Sequence, residues 1–270
     1  MATERLVIAE HQTVLQGLDL ASFEGVRRHT GRAFDDHSGL RDIHRIQASD
    51  SAGQPLILFM KRIYRTFRKD GLRSLLTRGR VWSSARQEWE NGLSLQQAGI
   101  PVAPLVAYGE QFGRLFERFS FIITEEAPGQ CMHDFVRTCA NRRVRRRVFE
   151  ELAHLVRRMH DAGLAAPDLF LRHIFVDTSA DTPRFCLIDM NRLDRGRIGL
   201  RKRARDIAGL HVTAPLAAVS RTERLRFLRA YGVPIDRRLF RLIARRARHQ
   251  LRKRRFQFFY GQEPAGSYGN

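Results

Sequence analysis

Lysine is nearly missing from this 270-residue chain. Of its 48 Lys+Arg residues only Lys61, Lys69, Lys202 and Lys253 are lysine, and the rest are arginine. Acid is short as well, with 28 Asp+Glu and a formal net charge of +20. Cysteine is sparse: Cys131, Cys139 and Cys186 form no CxxC pair, which excludes a disulfide framework or a zinc site and fits reduced, mostly buried thiols. No apolar run approaches the roughly 18 residues of a membrane-spanning helix, and Met1–Glu10 lacks the charged-then-apolar build of an export signal. A cytoplasmic location is therefore expected. No G-x-G-x-x-G phosphate loop is present, because Gly31, Gly39 and Gly53 are scattered. What the chain does have is 43% hydrophobic residues and 18 Phe, enough for one or two cores, which excludes a disordered basic tail.

The apolar pattern divides the chain in two. Ile43–Gln47 and Leu56–Lys61 read as a hairpin across the turn-rich Ser49–Gly53 cluster. A helix is expected from Ser84 to Gln97, carrying Trp89, Leu93 and Leu95 and stopping at Gly99 before Pro101. Strands follow at Val102–Tyr108 and Ser120–Thr124, an order that predicts an α+β lobe on an antiparallel sheet. After Pro128-Gly129 the pattern turns helical. Val148, Leu152, Leu155 and Met159 make one stripe of a helix over Val144–Ala162 that ends at Gly163. Short strands are expected at His173–Val176 and Arg184–Ile188, with helices from Arg201 onward. Residues 1–126 and 127–270 are thus expected to form an antiparallel-sheet lobe and a mainly helical lobe.

Four charged residues stand at predicted element ends: Lys61, Glu88, Asp168 and Asp189. Lys61 follows five apolar residues, and Glu88 lies early in the next helix, where an ion pair would hold the lysine extended toward a phosphate. Asp168 precedes one strand and Asp189 terminates the next. Two carboxylates so placed suit phosphoryl transfer, one receiving the acceptor hydroxyl proton and the other holding a metal on the nucleotide phosphates. Each residue alone has an ordinary explanation as a solvated strand end, a helix-surface charge or a turn. Their joint order is what carries weight.

Several stretches carry a resemblance: LFMKRIY (58–64), ARQEWENGLSLQQAGIPVAP (85–104), FIITEEAPG (121–129), LAHLVRRMHDAG (152–163), PDLFLRHIFVD (167–177), CLIDMNR (186–192) and RDIAGL (205–210). Over roughly residues 40–232 the chain resembles the lipopolysaccharide kinase family, which phosphorylates Kdo or heptose of the lipopolysaccharide inner core within the two-lobed protein-kinase-like fold. The resemblance implies ATP and Mg²⁺ as cofactors, Lys61 as the phosphate-binding lysine and Glu88 as its helix partner. It implies Thr124, Glu125 and Glu126 as the hinge that meets adenine, Asp168 as catalytic base and Asp189 as the magnesium ligand. Asp206 becomes a structural aspartate of the catalytic loop. His173 stands where protein kinases place a second metal ligand, although imidazole suits magnesium poorly. The chain departs from kinase pattern at Ala166, where a loop-bracing histidine is usual.

Charge suggests partners. Ten Arg/Lys between Arg237 and Arg255 flank an apolar stripe of Leu239, Ile243, Ala247 and Leu251, with Phe256, Phe258, Phe259 and Tyr260 following. A second basic cluster runs from Arg62 to Arg80. Both fit an anionic membrane surface and an anionic glycolipid acceptor, with the protein peripheral to the inner membrane. Nucleic acid is disfavoured, since no finger, helix-turn-helix or RNP pattern occurs. A catalytically silent kinase-like binding or stress protein, and a kinase for another acceptor, are the alternatives left open by the sequence.

Overall fold

The computed structural model describes residues 3–31, 33–37, 39–64, 81–113, 117–232 and 237–252. The backbone forms two compact units, Met1–Ser94 with Ala103–Ala127, and Leu95–Val102 with Pro128–Asn270. The division at Ala127 lies one residue from the expected lobe boundary. Leu95–Val102, expected in the first lobe, falls in the second unit because Leu95 and Ile100 are buried in its core.

The first unit is a six-stranded antiparallel sheet. Its strands β1 (Thr3–Ile8), β2 (Ala33–His37), β3 (Arg41–Ser49), β4 (Pro55–Ile63), β5 (Leu105–Phe112) and β6 (Glu117–Glu125) lie in the order β1-β5-β6-β4-β3-β2. The expected hairpin is β3–β4, with Ile46 opposite Leu58 and Ile43 opposite Lys61. Alternation along β4 sends Leu56, Leu58 and Met60 to one face and Ile57, Phe59, Lys61 and Ile63 to the other. On the first face, α1 (Gln12–Gly17) and α2 (Phe23–Arg28) help close a core of Leu15, Leu20, Val26, Leu58, Met60 and Phe121. On the second, Ile63, Tyr108 and Ile122 pack with Ala85 and Trp89 of α3 (Ser84–Gln97). Arg62, counted above with a basic surface cluster, is instead buried. It donates to the carbonyls of Val26, Arg27 and His29 at the end of α2 and to both carboxylate oxygens of Asp42 at 2.7 and 2.8 Å. The rest of that cluster, 65–80, lies outside the described residues.

The second unit is helical apart from short strands. α4 (Met132–Thr138), α5 (Arg142–Asp161), α6 (Leu200–Thr213), α7 (Arg221–Tyr231) and α8 (Arg237–Leu251) surround one core. The Asn141 side chain caps α5 by accepting from the Arg143 and Val144 amides, and the predicted stripe of Val148, Leu152, Leu155 and Met159 is buried. β9 (Ile174–Asp177) pairs with β10 (Arg184–Leu187) and with β7 (Gln130–Cys131); β8 (Leu164–Ala165) pairs with β11 (Asp194–Arg195). Gly129, entering β7, has φ +87°, and a Cβ there would overlap the Val176 carbonyl. Gly129→Ala combines left-handed strain with a backbone clash, so it should cost about 2–4 kcal/mol in urea unfolding.

Arg224 clasps the α6–α7 connection, donating to the carbonyls of His211, Ala214, Pro215 and Val219 and to His211 Nδ1 at 3.1 Å. Burial, reinforced by that guanidinium, pushes His211 down to about 4. The native state therefore refuses a proton that the unfolded chain accepts below about pH 6.5. The stability this neutral imidazole allows is full above that value and is lost as pH falls toward 4. Between pH 7.5 and pH 5 the unfolding free energy should drop by about 2 kcal/mol on this account. In His211→Asn that part of the pH slope should vanish.

The α8 stripe corrects the membrane reading. Leu239, Ile243 and Ala247 are buried in the core of the unit, and Leu251 packs against it, so this apolar face is not available to a bilayer. What α8 exposes is Arg237, Arg238, Arg241, Arg245, Arg246 and Arg248, with Phe240. Phe256, Phe258, Phe259 and Tyr260 lie outside the described residues. Among the described residues no helix is long and apolar enough to cross a membrane. Cys131, Cys139 and Cys186 are free thiols, and burial pushes Cys186 up to about 12.

Candidate active site

In the first unit, Lys61 lies two residues inside β4 rather than at its end, on the face that carries α3. The inward face of α3 is set by a helical period of Ala85, Glu88, Trp89 and Gly92. Gly92 allows the approach, since a Cβ there would stand 3.1 Å from the Leu105 side chain. This places Glu88 Oε2 2.7 Å from Lys61 Nζ, with both side chains about nine-tenths buried (11% and 10% exposed). Charges this desolvated persist as a hydrogen-bonded pair, which fixes the ammonium at the end of an extended stem.

The segment expected to meet adenine closes β6. Thr124 faces Phe59 and Leu105 across the sheet. The Glu125 amide donates to Pro104 O and the Glu126 amide to Ile57 O, both at 2.9 Å. The Glu125 carboxylate meets His11 at 2.8 Å and Glu126 lies 3.6 Å from Arg45. Both side chains thus anchor the sheet.

In the second unit the loop from Ala166 to His173 is pinned by α6 at three places. The Ala166 amide donates to Asp206 Oδ2 at 2.7 Å, the Leu171 amide donates to Thr213 Oγ1 at 3.1 Å, and Gly209 lets the helix meet the loop, a Cβ there falling 2.9 Å from Leu169 O. Asp206 is fully buried and also accepts from Arg205 Nε at 2.7 Å and meets His160 Nε2 at 3.2 Å. His160 Nδ1 is bonded to Tyr231 Oη at 2.8 Å. The brace that Ala166 cannot give through a side chain is supplied by its own amide on Asp206, with His160 behind it.

The pinned loop presents Asp168. His173 Nδ1 bonds the Asp168 carbonyl at 2.8 Å, so that nitrogen carries the proton, and Nε2 accepts from Arg172 Nε at 3.0 Å. Burial pulls the His173 imidazole below its ordinary range despite the nearby Asp189 carboxylate, 3.7 Å from Nε2. Neutral and bonded at both nitrogens, His173 is a strut rather than an open metal ligand. Asp189 follows β10 at φ +56°, a left-handed conformation that a non-glycine residue adopts at some cost and that recurs at functional sites. The turn is held by the Ile188 amide on His173 O at 3.0 Å and by Asn191 Nδ2 on Asp189 Oδ1 at 2.8 Å.

Asp168 is not left bare. Arg192, in the segment just after Asp189, donates from Nε to Asp168 Oδ2 at 2.5 Å and from Nη2 to Oδ1, a bidentate pair. Arg192 lies within the CLIDMNR stretch, but its role is hidden in the sequence because nothing in a linear pattern pairs residues across a strand hairpin. Thr213 and the His160 brace act over 42 and 46 residues of chain and are equally hidden in the sequence, whereas Asn191 bonds Asp189 only two residues away but carries no pattern of its own. The structure brings together Asp168, His173 and Asp189 in the second unit, and Lys61 with Glu88 in the first.

Residues 24–231 match the model of the lipopolysaccharide kinase (Kdo/WaaP) family. The chain belongs to the Kdo/WaaP lipopolysaccharide kinase family. It is 35% identical over 169 residues to the lipopolysaccharide core heptose(I) kinase WaaP of Pseudomonas aeruginosa PAO1, a match covering 59% of this chain and 63% of that enzyme. Against WaaP of Escherichia coli K12 it is 26% identical over 83% of this chain and 85% of the relative. A solved structure, WaaP in complex with acyl carrier protein, superimposes with a TM-score of 0.67 at 27% identity, covering 91% of this chain and 98% of that one. The kinase-like fold of this family member is thereby established, along with the sheet and helical architecture expected from its sequence.

Proposed function

We propose that this chain transfers the γ-phosphoryl group of ATP to a hydroxyl of an inner-core lipopolysaccharide sugar, and that the sugar is heptose rather than Kdo. The observation that carries the reading is the pinned loop in the second unit, which presents Asp168 beside a left-handed Asp189. The relatives are heptose(I) kinases, which supports the choice of sugar. In this reading Asp168 takes the hydroxyl proton, and Lys61, held by Glu88, offers its charge to the nucleotide phosphates.

Among the described residues no cluster of three or more His, Cys, Asp or Glu could hold a metal. A single partly exposed carboxylate suits nucleotide-borne magnesium, which keeps water and phosphate oxygens as its other ligands. Asp189 is the residue that would hold it, and the ion would supply neutralisation of phosphate charge. At the hinge, the Glu125 and Glu126 amides are engaged within the sheet, so a purine docked there would meet carbonyls of the segment or groups beyond it.

Purified chain with Mg-ATP should add phosphate to a heptose-bearing core acceptor and leave a Kdo-terminated acceptor unchanged, read by mass spectrometry. Phosphate on the Kdo-terminated acceptor would overturn the choice of sugar, and phosphate on neither would overturn the reading. We further propose that the protein works at the cytoplasmic face of the inner membrane, supported by the exposed α8 arginines. Binding to phosphatidylglycerol vesicles, lost at high salt and absent with neutral vesicles, is the expected result; no binding to either overturns the location.

A further inference from the structure

We propose that Arg192 is a latch on the catalytic base: it pairs with Asp168 and moves onto an anionic oxygen of the substrates when they bind, which releases the base for the acceptor hydroxyl. The inference rests on the reading of Asp168 as base given above. Three observations carry it. The pair is bidentate, so both Asp168 oxygens are engaged by the geometry in which carboxylates bind guanidinium best. It is not buried structure: the Arg192 side chain is 42% exposed and Asp168 19%. The carboxylate that holds the loop is a different one, Asp206, which is fully buried. An ion pair this exposed is worth about a fivefold equilibrium factor at most, so a phosphate or carboxylate oxygen can displace it.

The chemistry then closes. The acceptor hydroxyl oxygen forms a bond to the γ-phosphorus while the bond from that phosphorus to the leaving ADP oxygen breaks. The electron pair stays on ADP, and the hydroxyl proton passes to Asp168. Arg192, displaced from Asp168, faces the negative charge that displaced it. Where that anion belongs to the acceptor, the base stays covered until the acceptor binds, which keeps ATP from being given to water.

The test compares wild type, Arg192→Gln, Arg192→Lys and Asp168→Asn in the full-length protein, using γ-labelled ATP with and without heptose-bearing core oligosaccharide. For Arg192→Gln, acceptor-independent ATP hydrolysis should rise about fivefold, the factor the exposed pair is worth, where the acceptor's acid releases the latch, and should stay at the wild-type level where the γ-phosphate does. Transfer to the sugar at saturating acceptor should fall about 100-fold, with KM for ATP unchanged. Arg192→Lys should recover part of the transfer, and thermal unfolding should be unchanged in both variants. Hydrolysis and transfer falling in parallel, or neither changing, would overturn the latch. A wild type that transfers nothing, or an Asp168→Asn that transfers normally, would instead overturn the reading of the base. Carboxyl-reduced core oligosaccharide separates the two sources of the anion. If wild-type transfer falls to the Arg192→Gln level and the variant is indifferent, the acceptor's acid releases the latch; if both respond alike, the γ-phosphate does.

Discussion

Asp168→Asn is expected to lower kcat for phosphoryl transfer by about 1,000-fold, the scale of a positioned general base, while KM for ATP stays near wild type. Asparagine keeps the shape and one oxygen for Arg192 but cannot take up the hydroxyl proton. Folding should be almost unaffected. The ion pair lost has its arginine 42% exposed and is worth about 1 kcal/mol, and the loop is held from elsewhere by Asp206, Thr213 and His173. Steady-state kinetics beside thermal unfolding check both halves. Activity within threefold of wild type would remove Asp168 from the chemistry.

Asp206→Ala should act in the opposite way, on the fold first and the rate second. Its two oxygens serve the Ala166 amide, Arg205 Nε and His160 Nε2 in a site with no solvent access. Removing them leaves the buried Ala166 amide without an acceptor and Arg205 Nε without its partner, with Asp194 still holding Arg205 Nη1, which should cost about 2–4 kcal/mol in urea unfolding. Asp206→Asn retains one oxygen for the Ala166 amide and should lose roughly half as much. In whatever fraction stays folded, transfer should fall because the loop carrying Asp168 has lost its first anchor. A loss below about 1 kcal/mol for Asp206→Ala would show that the loop is braced some other way.

The residues that the sequence exposed most clearly were those whose roles follow from local order. The β3–β4 hairpin was readable because a turn-rich cluster separates two apolar runs, and α5 because its stripe repeats over about three turns. α1 and α2 were not, since six residues are too few to show a helical period. β1 and β2 escaped for another reason: β1 is half-exposed and charged, without the alternation that marks a half-buried strand. Lys61, Glu88, Asp168 and Asp189 stood out by residue type and position. Their supports did not, because Arg192, Thr213 and His160 act across 24, 42 and 46 residues of chain. The α8 stripe shows the limit most plainly. The same basic amphipathic helix can bury its apolar face in lipid or in protein, and composition alone does not choose; here the stripe packs into the helical core.

The central claim, that this arrangement moves phosphate onto a core heptose through Asp168, is tested most directly by a rapid-quench single-turnover experiment with γ-labelled ATP, magnesium and heptose-bearing core oligosaccharide. Label is expected on the heptose in wild type and, with Asp168→Asn, label that remains in ATP. Label arriving on the sugar at equal rates in both proteins, or found only in inorganic phosphate with wild type, would contradict that claim.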